Sequence, residues 1–256
     1  MRKRRLVILA QKGESTNIVY NSLKDAYDIE AVIVERPVPM KEFLQKRIRK
    51  LGFGKVFGQV LFQMTISKYL DMMSRKRKRE ILSKYSLTPK RILASKIISV
   101  KSVNDKTTMA LLQKFNPELV IVNGTRIISD EVLKSITARF INIHAGITPK
   151  YRNVHGAYWA IVNNDLDNCG VTVHLVDKGI DTGSIIYQQR IGVTDKDNFS
   201  TYPLLQLADG IVLLKKAITD IFDNKLVFKN GTRESKIWHH PTIWQYVYQR
   251  IAHDKK

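Results

Sequence analysis

Leu119-Val120-Ile121-Val122 and Phe140-Ile141-Asn142-Ile143-His144 are short, almost wholly apolar runs on either side of a helix-like segment from Ser129 to Ile136. Runs of this length that are apolar on both sides of the chain read as strands buried on both faces, as in a parallel sheet covered by helices. Working outward, Leu6-Val7-Ile8-Leu9-Ala10 runs into Gln11-Lys12-Gly13, a strand followed by a loop, and a helical pattern runs from Asn17 to Ala26. Ile29 to Val34 repeats the strand pattern and Lys106 to Phe115 the helical one. Val171 to Val176 and Ile185 to Gln189 read as further strands, and Tyr202 to Phe222 as a long helix with a candidate break at Gly210. Strands alternating with helices predict an α/β fold, a Rossmann-like, mostly parallel sheet flanked by helices with right-handed crossovers. We divide the chain into a main domain, 1–225, and a short C-terminal extension, 226–256.

With 256 residues, 44% hydrophobic, and only 13 Gly and 7 Pro, the chain can bury a sizeable core, which excludes disordered and collagen-like classes. Forty-three basic against 23 acidic residues give +20, which calls for an anionic partner: a phosphorylated small molecule, a lipid surface or nucleic acid. Cys169 is the single cysteine, so an intrachain disulfide and a cysteine zinc cluster are both excluded, and a cytoplasmic location is expected. The start, Met1-Arg2-Lys3-Arg4-Arg5, has the charge of a signal peptide, but the apolar run behind it is too short for one. Nothing approaches the roughly 20 apolar residues of a membrane span. The excess charge is local: 41–91 holds fifteen basic residues against Glu42, Asp71 and Glu80, and its apolar stretches mark a basic helical insert. A solvated helical hairpin packed on the sheet is the plainest reading of it. Peripheral contact with an anionic membrane is the second, and nucleic acid is not expected, because no helix-turn-helix, RNP or zinc-finger pattern is present. In the tail, Trp238, Ile243, Trp244 and Tyr246 suit either a homodimer surface or a cap on the core, and His239-His240 reads as a packing or solvent pair.

A buried strand ending in Asn142 and His144 is unusual, since period-2 spacing puts both on one face and both reach the carboxyl edge where α/β sheets bind ligands. Asp181 arrives later in the Gly-flanked loop Gly179-Ile180-Asp181-Thr182-Gly183. The stretch Asn142-Ile143-His144-Ala145-Gly146-Ile147-Thr148-Pro149-Lys150-Tyr151-Arg152, with Gly170-Val171-Thr172-Val173-His174 and 177–186, resembles the core of the folate-dependent formyltransferases. The resemblance is strong from Leu119 to Gln189, weaker from Arg5 to Val34, absent over the basic insert and faint in the tail. It implies that Asn142, His144 and Asp181 are the catalytic triad, with N10-formyltetrahydrofolate as co-substrate and no metal. The chemistry suits these residue types. Attack of an amine on the formyl carbon makes an oxyanion and a cationic nitrogen; Asn142 and His144 can donate to the first, where one donor is typically worth about 3 kcal/mol. Asp181 can orient His144 or a water and move the proton.

The resemblance also implies a folate site built from Gly124, Thr125, Arg126 and Ile127 on one side, with Val176, Gly179 and Ile180 on the other. Gly13, Ser15 and Thr16, together with Tyr151, Arg152, His155 and Tyr158, are candidates for holding the acceptor. Two departures bear on the folate site: Asn153 stands where the family commonly has Gly, and Ala145-Gly146-Ile147-Thr148 replaces a Pro-Ser/Ala-Leu-Leu pattern. The loop at 145–152 is similar to that of relatives that formylate amino sugars for lipopolysaccharide or capsule, so an anionic, nucleotide-linked amino sugar is the expected acceptor. Phosphoribosylglycinamide is the alternative, although Glu14 in the 13–17 loop would repel a phosphate. Hydrolysis of formyltetrahydrofolate is a third reading, and a degenerate fold serving as a basic RNA- or membrane-binding module is the non-enzymatic one. The chain ends about thirty residues after the Tyr202 to Phe222 pattern, too soon for the added β-barrel domain of methionyl-tRNA formyltransferases, so initiator tRNA is a poor candidate on this reading.

Overall fold

Leu6, Ile8 and Ala10 pack on one side of their strand and Val7 and Leu9 on the other, which is why the run shows no polar alternation. The computed structural model describes residues 3–231 and 234–255; Met1 and Arg2 of the basic N-terminus lie outside the described residues. In chain order the elements are β1 (Arg5–Gln11), α1 (Glu14–Leu23), β2 (Asp28–Glu35), α2 (Met40–Leu51), α3 (Phe53–Met64), α4 (Ile66–Met73) and α5 (Arg75–Lys84). Then come β3 (Ile97–Val100), α6 (Lys106–Phe115), β4 (Leu119–Asn123), α7 (Asp130–Leu133), β5 (Arg139–His144), β6 (Arg152–Asn153) and α8 (Gly156–Val162). The chain finishes with β7 (Gly170–Leu175), β8 (Ile185–Arg190), α9 (Tyr202–Phe222), β9 (Ile237–Trp238) and α10 (Ile243–His253).

Seven strands form one sheet in the order β3-β2-β1-β4-β5-β7-β8. The pairs from β3 to β5 are parallel, and β7 runs antiparallel to both its neighbours, so the sheet is mostly parallel. One face carries α1, α8 and α9, where Ile18, Leu23, Leu214 and Ile218 are fully or almost fully buried. The other carries α6 and α7, with Leu112 and Val132 buried against Val7, Val120 and Phe140.

Helix α9 is continuous, so the break expected at Gly210 does not occur. Gly210 instead lets the helix approach the sheet: a Cβ there would stand 2.5 Å from Ile143 Cγ2 and 3.0 Å from Val171 Cγ2. The basic insert is four short helices, α2 to α5, rather than a hairpin. It is anchored at few points, with Val56, Phe62 and Ile81 buried and Arg77 paired through Nε and Nη2 to buried Asp197 at 2.9 and 3.0 Å. Strand β9 adds to β6 in a two-stranded ribbon beside the 145–155 loop, and α10, started by a Thr242–Gln245 capping box, packs on α3.

Candidate active site

Strand β5 delivers Asn142 and His144 to the carboxyl edge, and β7 lies beside it in a register that pairs Asn142 with His174 and His144 with Thr172. Directly opposed residues share a face, so four polar side chains meet there. Asp181 is lowered onto them by its loop with φ of 50°, a left-handed conformation that a non-glycine residue adopts at a cost.

Asp181 is the hub. Its Oδ2 lies 3.2 Å from His144 Nδ1 and accepts the Asn153 backbone N–H at 2.9 Å. Its Oδ1 accepts from Asn142 Nδ2 at 3.5 Å and lies 3.6 Å from His174 Nε2. His174 Nδ1 faces its neighbouring Leu175 carbonyl at 2.6 Å, which makes Nδ1 the protonated nitrogen and Nε2 an acceptor for Asn142 Nδ2 at 3.2 Å. Both amide protons of Asn142 therefore point at acceptors. Burial alone would raise the Asp181 carboxyl, but His144 and the Asn153 N–H hold it down at about 2. Burial lowers the proton affinity of the His144 imidazole, and the facing carboxylate only partly offsets this.

His144 has acceptors on both ring nitrogens, because its Nε2 lies 2.7 Å from the Tyr151 carbonyl. A neutral ring has one N–H for the two, so the arrangement is short of one proton and can take one up. Gly146 makes it possible: a Cβ there would fall 2.2 Å from the Tyr151 oxygen and 2.8 Å from His144 Nε2. The loop is fastened by Thr172, whose hydroxyl donates to the Gly146 carbonyl at 2.7 Å and accepts from the Thr148 N–H at 3.1 Å. The Ala145-Gly146 departure is thus what brings the Tyr151 carbonyl onto the imidazole. Asn153 stands at φ 80°, the region that favours glycine and that asparagine tolerates best among the other residues. Its side chain donates to the Trp238 carbonyl at 2.6 Å.

These groups form part of the wall of a cavity of about 630 Å³, a size suited to a cofactor-sized ligand. Gly124, Thr125, Arg126 and Ile127 line one side and Val176, Gly179 and Ile180 another. Val122, Ile128, Val154 and Leu207 supply apolar surface. The 124–128 loop is fixed by buried Glu35 at the end of β2, which accepts from the Arg126 N–H at 2.7 Å and the Val103 N–H at 3.3 Å. The Arg126 guanidinium turns away from the cavity to the Arg36 carbonyl at 2.6 Å.

The acceptor candidates divide. Ser15 lines the cavity, whereas Gly13 and Thr16 do not; Thr16 is buried, bonding the Gln11 carbonyl at 2.6 Å and accepting from Asn123 at 3.0 Å. Tyr151 points the other way, its hydroxyl on Asp165 at 2.9 Å, and Arg152 reaches the Ile180 carbonyl at 3.2 Å. His155 packs on Phe199 with ring centroids 4.3 Å apart and bonds His240 at 2.8 Å, so burial lowers both imidazoles, His240 to about 4. Tyr158 is buried under α9, where burial pushes its phenol up. Three residues that the sequence reading assigned no role belong to the arrangement, His174, Thr172 and Glu35, and Asn123, which the resemblance placed only in the folate-binding segment, joins them through its side chain. His174 and Asn123 had a signal, a polar side chain at or near the end of an otherwise apolar strand; Glu35 and Thr172 read as ordinary strand residues.

Residues 39–204, well over half of the chain, match the model of the family described as formyl transferase. That match takes in the basic insert, over which no resemblance is read from the sequence, and begins beyond Arg5 to Val34. A methionyl-tRNA formyltransferase of Caldanaerobacter subterraneus is 30% identical over 150 residues, covering 56% of this chain and 48% of the relative. The chain spans about a third to a half of the length of the curated relatives it matches first. The same fold is found in a sugar N-formyltransferase from Shewanella, at 16% identity and a TM-score of 0.57 over 92% of this chain and 76% of that one. It recurs in glycinamide ribonucleotide transformylase 1 from Symbiobacterium toebii, at 18% identity and a TM-score of 0.57 over 93% and 95% of the two chains.

Proposed function

We propose, since this chain belongs to the formyl transferase family, that it moves a formyl group from N10-formyltetrahydrofolate to a primary amine, with Asn142, His144 and Asp181 as catalytic residues. The observation that carries the reading is their convergence on Asp181, within 3.2 to 3.5 Å, on the wall of a cavity with room for a pterin. The fit is chemical as well as spatial: apolar walls suit the flat ring, and the backbone of 124–128, held still by Glu35, suits its polar edge. When bound, the folate supplies the activated formyl group.

The chain's own residues then do the following. As the new C–N bond forms and the carbonyl electron pair moves to oxygen, Asn142 turns one amide proton from Asp181 or His174 to that oxyanion. The His144–Asp181 pair, lacking one proton for its two acceptors, takes the proton from the amine. His144 becomes an imidazolium held by Asp181 and the Tyr151 carbonyl, and its charge adds to oxyanion stabilisation. The same proton passes to N10 as the C–N10 bond breaks, giving formamide and tetrahydrofolate. In this arrangement His144 Nε2 stays on the Tyr151 carbonyl, so His144 acts by charge and proton storage more than by a direct N–H contact to the oxyanion.

For the acceptor we infer a nucleotide-linked amino sugar. Its diphosphate suits a chain of +20, and the 145–152 loop resembles that of amino-sugar formylating relatives. Glu14 opens α1 beside Ser15 at the cavity, which works against the phosphate of glycinamide ribonucleotide. A second reading, methionyl-tRNA, draws on the names of the curated relatives and on the basic insert. The test is transfer from N10-formyltetrahydrofolate to amino-sugar nucleotides, glycinamide ribonucleotide and methionyl-tRNA, followed by product mass. A formylated sugar supports the reading; a formylated glycinamide or tRNA reassigns the acceptor, and folate consumption with no formylated product reassigns the protein to hydrolysis.

A further inference from the structure

Helix α3 faces outward with the wrong residues for water. Phe53, Phe57 and Met64 are 68%, 53% and 62% exposed and lie on one side of the helix, with the two phenyl rings stacked at 6.1 Å. On the opposite side Phe62 is fully buried, against Tyr246 of α10 with centroids 5.1 Å apart. Helix α10 repeats the arrangement: Tyr246 faces the core, while Trp244, Val247, Tyr248 and Ile251 form an i, i+3, i+4, i+7 stripe facing solvent, with Ile251 81% exposed. The two helices that carry these stripes are packed together, the Trp244 indole crossing buried Gly58, at which a Cβ would stand 3.1 Å from Trp244 Nε1. Exposed apolar rings on two packed helices mark a contact site.

Charge selects the occupant. Beside α3 lie the basic residues of α2 and α4, within a segment carrying a net +12, while α5 follows α4 and packs on α9. Among the described residues no carboxylate pairs with Lys50, Lys55, Lys68, Arg75, Lys76 or Arg79, whereas Glu42, Asp71 and Glu80 are taken by Lys46, Lys78 and Arg77. A second copy would bring the same cations against these, with like charges opposed. An anionic bilayer meets both features at once, the rings and thioether entering the headgroup boundary and the ammonium and guanidinium groups meeting lipid phosphates. We propose that the α3–α10 face, with the basic residues of α2, α3 and α4 beside it, docks on an anionic membrane surface. This goes beyond the formyl-transfer reading and does not depend on it.

The test uses the full chain, vesicles of equimolar phosphatidylcholine and phosphatidylglycerol, and vesicles of phosphatidylcholine alone, with binding read by sedimentation. The expected result is binding to the anionic vesicles, weakened steeply by salt, and little to the neutral ones. Trp244 is the exposed tryptophan, at 61% against 8% for Trp159, so its emission should shift to the blue and be quenched by brominated lipid. Lys50→Gln, Lys55→Gln and Lys68→Gln together should weaken binding on the order of a hundredfold. Phe57→Ser with Ile251→Ser should abolish the blue shift with the melting temperature retained, since both side chains are exposed. Equal binding to neutral vesicles, or no binding to either, overturns the proposal. So does a dimer in sedimentation velocity that the Phe57→Ser, Ile251→Ser variant dissociates, which would give the face to a second copy. Retention of polyuridylate without vesicle binding overturns it in favour of nucleic acid.

Discussion

Asp181 sits where three donors converge, and its ionisation is built into the fold. Its carboxyl is held at about 2, below the ordinary value of 3.8, so the stability it contributes is present above about pH 4 and is lost as pH falls toward 2. The size is on the order of 2 kcal/mol. Asp181→Asn should therefore lower the urea midpoint at neutral pH and flatten its fall between about pH 4 and 2; a variant with the same acid dependence as the parent would show that the carboxylate is not so held. Asn153 offers a second handle, because its backbone rather than its side chain serves Asp181. Asn153→Gly should leave formyl transfer within about threefold of the parent, since glycine adopts φ 80° freely. A β-branched residue does not, and Asn153→Val should cost about 2 kcal/mol and most of the turnover. Equal activity of the two variants would remove the conformational argument. Asn142 and His144 were legible as candidates because two polar residues end an apolar strand, and Asp181 because the family resemblance singles out its Gly-flanked loop. The sharing of Asp181 with His174 was not, since it depends on a cross-strand register that forms only once β7 lies antiparallel to β5.

Gly210 and Glu35 show how whole elements are set around the site. In a sequence Gly210 reads as a helix breaker, because mid-helix glycine is destabilising by about 1 kcal/mol relative to alanine. Against the sheet it does the opposite: Gly210→Ala drives a methyl onto Ile143 and Val171, and the overpacking of about 1–3 kcal/mol should outweigh the gain in helix propensity. A urea midpoint at or above the parent's would sink this account of why α9 keeps its glycine. Glu35 ends β2 and reads as an ordinary charged strand end, yet it is 2% exposed and fastens the 124–128 loop. Glu35→Ala leaves two backbone N–H groups without their acceptor, at a cost of about 2 kcal/mol, and should speed amide exchange at Arg126 and raise the folate KM more than it lowers kcat. Unchanged exchange there would show that the loop is held by something else. Six of the seven sheet strands were readable from short apolar runs bounded by turn residues, whereas the edge strand β3, short and largely exposed, gave no such run. Helix bounds were less so: the 129–136 pattern condenses to α7, four residues long, with Leu133 and Ile136 still packed on the core.

Taken as a whole, the chain separates its chemistry from its charge. The catalytic candidates sit at the carboxyl edge of a sheet whose cavity walls are mostly apolar and neutral, while a net +12 of the +20 lies in four helices that the main core holds through few buried side chains. Composition gave the magnitude of the charge and its place in the sequence, but the outward apolar stripes of α3 and α10 emerge only when the helices are packed and their inward faces are known. The central claim is that this sheet edge transfers a formyl group through Asn142, His144 and Asp181. Its most direct test is the mass of the amine product after incubation with N10-formyltetrahydrofolate, run side by side for the parent and for Asn142→Ala. The account predicts a formylated amine from the parent and a rate lower by about two to three orders of magnitude for the variant, as for loss of an oxyanion donor. A formylated product made equally fast by both, or none from a folded parent with any acceptor of the panel, would contradict it.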